Sequence, residues 1–206
     1  MPFFEAHLIY ALAWLSFGLG HSLLAGETLK KRLGHVFGAF YRLIYNLFAL
    51  LHIAIVAVGG HRLLSGAAPY PFPPWAEAVL MAGYVLGWAA FMWALWGYDL
   101  GLFAGTRQIA ERFRASGASG DEPLIVNGLH AWVRHPLYAG ALAILWGRID
   151  DPFDLSTAVW ASIYLFIGAW SEERKLLEIH GAAYGAYKRR VPAFFPWKGR
   201  PPGEDG

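Results

Sequence analysis

Residues 127–140 read NGLHAWVRHPLYAG, and the rest of the predicted fold is arranged around this stretch. It places Arg134 and His135 directly before Pro136 and an apolar run from Leu137 to Trp146. Proline suits the first position of a helix, where its missing N–H would have no partner in any case. The two basic side chains are therefore predicted at a helix N-terminus, where free N–H groups and the helix dipole favour an anion. They form either a cradle for a carboxylate or phosphate, or the interfacial anchor of a membrane helix.

The composition is that of a bilayer protein. Hydrophobic residues make up 56% of the 206 residues and charged residues only 16%, whereas about a quarter of the residues of a soluble domain are charged. The net charge of +2 is too small to indicate nucleic-acid binding. The sequence contains no cysteine, which excludes disulfides, thiolate metal sites and a cysteine nucleophile. His7 and His21 are separated by about 21 Å along one predicted helix, so no shared metal is expected.

Five apolar stretches predict an all-α, polytopic transmembrane helical bundle. The fourth is short, and it crosses the bilayer only if it tilts or takes in Trp132 and Val133. Met1–Tyr10 contains no lysine or arginine, so the first stretch is expected to be a retained membrane helix and not a cleaved signal peptide. The five stretches cover approximately Phe3–Ala25, Phe40–Val58 (ending at Gly59–Gly60), Glu77–Tyr98, Pro136–Ile149 and Phe153–Trp170.

The distribution of lysine and arginine predicts the orientation of the bundle. Basic residues are concentrated in a loop after the first stretch, which holds Lys30, Lys31 and Arg32, in the polar segment before Pro136, and in the C-terminal tail. Five spans place these three segments on one side of the membrane, and the positive-inside rule assigns that side to the cytoplasm. The N-terminus is then outside and the C-terminus cytoplasmic, as expected for the bacterial inner membrane. The chain is interpreted as one integral membrane domain, 1–206, with three spans in 1–98 and the site in 99–206.

The last two apolar stretches are predicted to form a hairpin that turns near Asp151. Counting 1.5 Å per residue away from this turn places Glu172 and Glu173 level with about residues 130–131. Arg134 and His135 then lie in the same layer, at the cytoplasmic edge of the bilayer. Independent snorkelling of each side chain towards water is the alternative. Two acids and two bases brought to one layer by separate segments favour a polar pocket.

Three motifs in this region resemble those of integral membrane methyltransferases. They are R-H-P-x-Y-x-G at Arg134–Gly140, the pair Glu172–Glu173, and G-x-x-Y-x-x-Y-x-x-x-V-P at Gly181–Pro192. The combination is similar to the C-terminal half of the isoprenylcysteine carboxyl methyltransferases and the phospholipid methyltransferases. Upstream residues, among them His21–Ser22 and Tyr98–Asp99–Leu100, are similar to a narrower branch, the bacterial methanethiol S-methyltransferases and NnrU-type membrane proteins.

This resemblance implies that S-adenosylmethionine is the cofactor and that a methyl group is transferred to a small thiol, with a prenylcysteine or a lipid as the alternative acceptor. Arg134 and His135 would bind the carboxylate of the methionine part, and the two glutamates its amine or the ribose hydroxyls. His130 is the weaker member of the site, because the family commonly has an aromatic hydroxyl there. The expected cofactor-binding residues are His130, Arg134, His135, Tyr138, Glu172 and Glu173, and the expected catalytic residues are Arg134 and Glu173.

Two other functions stay open at this point. A membrane reductase that uses NADPH has a related terminal layout, although it would need more cationic side chains for the 2′-phosphate and a longer C-terminal half. A non-enzymatic accessory protein of nitrogen-oxide respiration is allowed by the similarity to NnrU-type proteins. The expected partners are the lipid bilayer and the methyl acceptor, and the sequence fixes neither the acceptor nor the oligomeric state.

Overall fold

The computed structural model describes residues 3–66, 68–97, 101, 106 and 124–198. Every regular element in this part of the chain is a helix, which confirms the prediction of an all-α, polytopic helical bundle. Two short 3-10 helices, Gly38–Phe40 and Gly128–Ala131, accompany the α-helices. The α-helices are α1 (Phe3–Ala25), α2 (Glu27–Phe37), α3 (Tyr41–Leu64), α4 (Pro74–Trp96), α5 (Pro136–Gly147) and α6 (Pro152–Arg190).

Four of these helices, α1, α3, α4 and α6, contain a stretch long and apolar enough to cross a membrane. Many of their large apolar side chains face outward. Along α1, Leu12, Leu15 and Leu19 are 56%, 54% and 56% exposed, as expected for side chains that contact lipid. Helix α5 has only 12 residues, or about 18 Å of helix, which is shorter than the roughly 30 Å of hydrocarbon in a bilayer. The chain is an integral membrane protein in which α5 is the short apolar helix.

The structure corrects the predicted path between the first two membrane helices. The basic segment that contains Lys30–Arg32 is not a loop but forms helix α2, because apolar residues recur in it at helical spacing. Helix α3 continues through Gly59 and Gly60 to Leu64, so the prediction that this glycine pair ends the helix is also wrong. Gly60 serves packing instead, since a Cβ atom there would lie 2.1 Å from Cε2 of Tyr10.

The chain divides into two compact units, and the first contains α1, α2, α3 and the beginning of α6 up to Trp160. Tyr10 of α1 is fully buried in the core of this unit. Its hydroxyl lies 2.8 Å from Oγ1 of Thr157, at the start of α6. One helical turn away, Oγ of Ser156 lies 3.1 Å from Nδ1 of His7. Paired polar groups thus join α1 to the first turns of α6.

The second unit contains α4, α5 and the remainder of α6. The backbones of α4 and α5 approach closely because glycines lie where the two helices touch. A Cβ atom on Gly87 would lie 2.7 Å from the backbone nitrogen of Ile144, and one on Gly140 would lie 2.7 Å from that of Phe91. Gly147 leaves even less room, with 2.4 Å to the nearest backbone nitrogen. This packing fixes the start of α5, where the predicted site lies.

Some predictions are not tested by this part of the chain. The motif Tyr98–Asp99–Leu100 lies outside the described residues. The interpretation of residues 1–206 as a single domain stays a prediction, and so does the orientation of the helices in the membrane.

Candidate functional site

The site begins with the turn that leads into α5. Gly128 adopts φ +59°, a left-handed conformation that favours glycine, and it opens the 3-10 helix Gly128–Ala131. The chain then reaches His135, the N-cap of α5, and Pro136 occupies the first turn of the helix. The predicted placement of Arg134 and His135 at a helix N-terminus is confirmed. The His135 side chain makes no capping hydrogen bond to this terminus.

The segment after α6 runs alongside Arg134 and His135. The backbone N–H of Arg134 donates to the carbonyl of Pro192 at 2.8 Å, and the N–H of His135 donates to that of Ala193 at 3.0 Å. Phe194 follows, and its ring stacks on the His135 ring with 5.5 Å between centroids. We call residues 191–194 the C-terminal strap, because these backbone bonds join the end of the described chain to the start of α5.

A break inside α6 brings the strap to this position. Gly181 has φ +52° and ψ −124°, outside the helical region. Along an uninterrupted helix, Glu173 and Lys188 would be about 22 Å apart, at 1.5 Å per residue. In the structure the Lys188 Nζ atom lies 2.6 Å from Oε2 of Glu173. The chain therefore folds back at Gly181, and its last helical turns lie against the turns that carry Glu173.

Glu173 is the centre of a buried ion cluster. Its side chain is 9% exposed, and that of Arg134 is 10% exposed. Arg134 donates from Nε at 2.8 Å and from Nη2 at 2.6 Å to the same oxygen, Oε1. His135 adds a third hydrogen bond to Oε1, from Nε2 at 3.1 Å, while Lys188 binds Oε2. One carboxylate thus faces three basic side chains, which is the pairing that a buried charge requires.

Arg134 also holds the end of α6. Its Nη1 group donates to the carbonyl of Lys188 at 3.2 Å and to the carbonyl of Val191. A guanidinium has five N–H groups, and Glu173 together with these two carbonyls accepts four of them. Arg134 is therefore a joint between α5, α6 and the strap, and its side chain also approaches the hydroxyl of Tyr184.

His135 and Glu172 occupy the more accessible side of the cluster. His135 is 5% exposed, and its Nδ1 atom lies 3.5 Å from Oε2 of Glu172. The Glu172 side chain is 48% exposed, so it has lone pairs available to a ligand. The Tyr138 ring lies parallel to the His135 ring at 5.5 Å and 9°, and its hydroxyl is 3.8 Å from the position of a Cβ on Gly168. The predicted residues Arg134, His135, Tyr138, Glu172 and Glu173 are thus brought together.

His130 lies at the edge of this arrangement. Its Nδ1 atom donates to the carbonyl of Arg134 at 3.2 Å, and its own carbonyl accepts a hydrogen bond from Tyr187 Oη at 2.7 Å. Burial lowers the pKa of His130 below its usual value of 6.5, and the hydrogen bond to Arg134 opposes this effect. A neutral imidazole is the form that fits, because burial disfavours its charged form. These bonds tie His130 to the backbone beside the cluster.

The two tyrosines of the third motif differ in their hydroxyl groups. Tyr184 and Tyr187 are 1% and 5% exposed, and they form a small core with Val191. Tyr187 is satisfied by the carbonyl of His130. The hydroxyl of Tyr184 is buried without a well-formed hydrogen bond in the described part of the chain. A buried hydroxyl of this kind is unusual, and the Arg134 side chain lies close enough to interact with it, so Tyr184 borders the ion cluster.

Sequence reasoning missed Lys188 and the strap as parts of the site. The basic run at Lys188–Arg190 suggests headgroup contacts, yet Lys188 pairs with Glu173. The signal that could have been used is Gly181, a glycine inside an otherwise continuous helical pattern, since such a glycine often marks a break. Neither the direction of the fold-back nor the two backbone bonds of the strap can be derived from residue spacing.

Known proteins with similar sequences include methyltransferases. The methanethiol S-methyltransferase 2 of Bradyrhizobium diazoefficiens is 29% identical over 202 residues, covering 93% of this chain and 74% of that protein. A methanethiol S-methyltransferase of a Pseudomonas species is 26% identical over 194 residues, with the same two coverages of 93% and 74%. Nurim of Xenopus laevis is 29% identical over 159 residues, 72% of this chain and 55% of nurim. Neither a family model nor a solved structure matches the chain.

These similarities extend over most of the chain, so they are not confined to the apolar helices. The residues of the ion cluster come from the three motifs that resemble membrane methyltransferases, and the fold is the all-helical membrane bundle expected of them. The resemblance to the integral membrane methyltransferases is therefore supported by relatives, methanethiol S-methyltransferases and nurim, that align with most of the chain.

Proposed function

We propose that the protein transfers a methyl group from S-adenosylmethionine to a small thiol. The observation that carries this proposal is that two methanethiol S-methyltransferases align with 93% of the chain. The acceptor is a small apolar thiol such as methanethiol, because the only acceptor that the relatives' names state is methanethiol. A prenylcysteine or lipid acceptor is the competing possibility, and it is tested in parallel below.

The residues of the site fit the charged end of S-adenosylmethionine. That end carries an ammonium and a carboxylate, so it needs both an anion and hydrogen-bond donors. Glu172 supplies a half-exposed carboxylate, and Arg134 supplies a positively charged guanidinium. The start of α5, where the His135 side chain makes no capping hydrogen bond, supplies backbone N–H donors. We assign Glu172 to the ammonium, and Arg134 with the α5 N-terminus to the carboxylate.

When bound, S-adenosylmethionine would supply the methyl group of its sulfonium: the bond between methyl and sulfonium sulfur breaks as the bond to the acceptor sulfur forms, and the products are a thioether, S-adenosylhomocysteine and the proton that the thiol gave up. The contribution of the protein's own residues is to hold the reacting groups in position. Glu173 is already shared among Arg134, His135 and Lys188, so its task is to hold those groups in place. Helix α5 and its glycine packing on α4 keep His135 and Tyr138 fixed relative to the cluster. Alignment of two reactants in this way can lower a barrier by up to about 7–11 kcal/mol.

Methyl transfer by the purified, detergent-solubilised chain tests the proposal. S-adenosylmethionine is supplied with methanethiol, with glutathione or with a prenylcysteine in parallel reactions, and the methylated product is measured. We expect methanethiol to be the preferred acceptor. Preference for the prenylcysteine would assign the protein to lipidic acceptors, and no transfer to any of the three, together with no binding of S-adenosylmethionine by calorimetry, would refute the enzymatic proposal.

Glu172→Gln tests the assignment of the site. The side chain is half exposed, so we expect its loss of charge to leave the thermal stability of the protein unchanged. A hydrogen bond to a charged group contributes about 1.5–3 kcal/mol, and cofactor affinity should therefore fall by roughly ten- to a hundredfold. Glu178→Gln is the matched control, since it removes the same charge from the same helix away from the cluster. Unchanged affinity in Glu172→Gln would show that the ammonium binds elsewhere.

We further propose that the site faces the cytoplasm of a bacterial cell, in its inner membrane. The support is the concentration of lysine and arginine in three segments that five spans place on one side. Reporter fusions after Gly66 and Asp151 should report the outside, and fusions after Gly34 and Gly206 the cytoplasm. A cytoplasmic signal at Gly66 would contradict this orientation.

A further inference from the structure

Helix α2 has an apolar stripe that the described residues leave partly uncovered. At 100° per residue, Leu29, Leu33, Val36 and Phe37 fall within an arc of about 100° on the helix surface. Leu29 and Leu33 are half-buried. Val36 is 74% exposed, and Phe37 is 38% exposed. The stripe therefore faces outward along the second half of the helix.

The basic residues of α2 are arranged around this stripe. On the same projection Lys30 lies beside one edge of the stripe and Arg32 beside the other, while Lys31 lies on the opposite face. All three are exposed. Basic side chains at the two edges of an apolar stripe are typical of helices that lie flat in a membrane interface, where they extend towards the headgroups.

The neighbours of α2 place it at a membrane boundary. It follows α1, which ends at Ala25, and it precedes α3, which begins at Tyr41, and both of these helices are apolar enough to cross a membrane. The hydroxyl of Tyr41 donates to the carbonyl of Leu24, so the end of α1 and the start of α3 lie at the same level. Gly38, with φ +53°, interrupts the helical path between α2 and α3.

We infer that α2 lies flat on the membrane surface and binds the headgroups of anionic phospholipids through Lys30 and Arg32. The exposed stripe inserts among the acyl chains, and the two flanking cations meet phosphate groups on either side. Charge complementarity favours anionic over zwitterionic lipid. Each basic residue near an anionic membrane surface increases the binding preference for the anionic headgroup by about fivefold. This surface is separate from the ion cluster, and it does not depend on the proposed methyl transfer.

A lipid-selectivity measurement tests the inference on the full chain. The sequence contains no cysteine, so Val36→Cys gives a single labelling site for a fluorophore. The labelled protein is reconstituted in phosphatidylcholine vesicles that contain equal mole fractions of either spin-labelled phosphatidylglycerol or spin-labelled phosphatidylcholine. We expect stronger quenching by the phosphatidylglycerol, and we expect the difference to shrink as salt is raised.

Substitutions that each remove one positive charge show which residues cause the preference for phosphatidylglycerol. In the Val36→Cys background, Lys30→Gln and Arg32→Gln should each reduce the preference for phosphatidylglycerol by about fivefold. Lys31→Gln should reduce it less, because that side chain lies on the opposite face. Equal quenching by the two lipids would overturn the proposed selectivity.

A second measurement tests the placement of the helix. Aqueous iodide should quench a fluorophore on Lys31→Cys strongly and one on Val36→Cys weakly. Equal quenching at the two positions would overturn the flat membrane placement.

Discussion

Replacing Arg134 by alanine removes the joint between α5, α6 and the strap. The guanidinium makes two hydrogen bonds to Oε1 of Glu173 and two to carbonyls at the end of α6. Both side chains of the pair are about nine-tenths buried, so water does not replace the lost bonds. Glu173 keeps its contacts with Lys188 and His135, which limits the loss of stability.

The expected loss follows from these contacts. Removing one partner of a buried ion pair costs about 3–5 kcal/mol, and the contacts that Glu173 keeps with Lys188 and His135 place Arg134→Ala near the lower end, at about 3 kcal/mol. For a chain of this size each kcal/mol corresponds to about 2–4 °C in melting temperature, so a fall of roughly 6–12 °C is expected. Arg134→Lys should recover part of the loss, because a point charge can reach Glu173 but cannot also bind both carbonyls.

Thermal unfolding of the detergent-solubilised variants, followed by fluorescence-detected size exclusion, measures this loss. Glu173→Gln should be intermediate, since the amide keeps an oxygen for Arg134 but loses the charge. A melting temperature for Arg134→Ala within about 2 °C of the wild type would refute the assignment of Arg134 as the joint. An equal loss in Arg134→Lys and Arg134→Ala would show that the fork geometry is essential to the site.

Three further predictions concern packing, pH and the cofactor. Gly60→Ala should destabilise the protein by about 1–3 kcal/mol in a thermal unfolding assay, because the new methyl group overlaps the buried ring of Tyr10. The pKa of His130 is lowered in the folded protein, so the unfolded chain binds a proton first as pH falls. The stability that depends on a neutral His130 should be present above about pH 6.5 and be lost as pH falls through the lowered pKa. A pH series of melting temperatures will measure this loss. Lys188→Gln should strengthen calorimetric binding of S-adenosylmethionine severalfold, because it frees Oε2 of Glu173 and removes a positive charge that opposes the cationic cofactor.

Each of these has a matched control. Gly59→Ala adds the same methyl group where nothing lies within 4 Å, and an equal loss in both variants would contradict the packing argument. His130→Gln should flatten the pH series, whereas His35→Gln, at an exposed position, should not. Arg189→Gln removes the same charge one residue after Lys188. An equal gain in cofactor affinity in this variant would show that the effect of Lys188→Gln comes from the change in net charge and not from the contact with Glu173.

The sequence predicts much of this fold because its strongest signals are local. The apolar run Phe3–Ala25 coincides with α1 at both ends. The hairpin turn near Asp151 and a rise of 1.5 Å per residue are sufficient to bring Arg134 and Glu173 to one layer, and the structure joins them by hydrogen bonds. The Arg-His-Pro motif likewise predicts the start of α5, because proline is tolerated in the first turn of a helix but not in its interior.

The features that the sequence did not predict depend on tertiary packing. In the sequence alone, the Gly59–Gly60 pair suggests the end of a helix. Only the packing of the Tyr10 ring against Gly60 explains why a glycine is present inside α3. Gly181 resembles one glycine among many, and only its backbone conformation folds the last turns of α6 back on Glu173. The strap then bonds to α5 through backbone groups, which carry no residue-specific signal. The partners of Glu173 were therefore only partly predictable.

The long sequence separation within the ion cluster has a consequence for biogenesis. Glu173 is 39 residues after Arg134, and the carbonyl of Val191 is 57 residues after it. At a synthesis rate of about 5–20 residues per second, the ribosome adds Glu173 roughly 2–8 s and Val191 roughly 3–11 s after Arg134. During that interval the membrane insertion machinery holds a chain whose arginine has none of these partners. The buried contacts of Arg134 therefore form only after the end of α6 has been synthesised, and the cluster is among the last parts of the described chain to assemble.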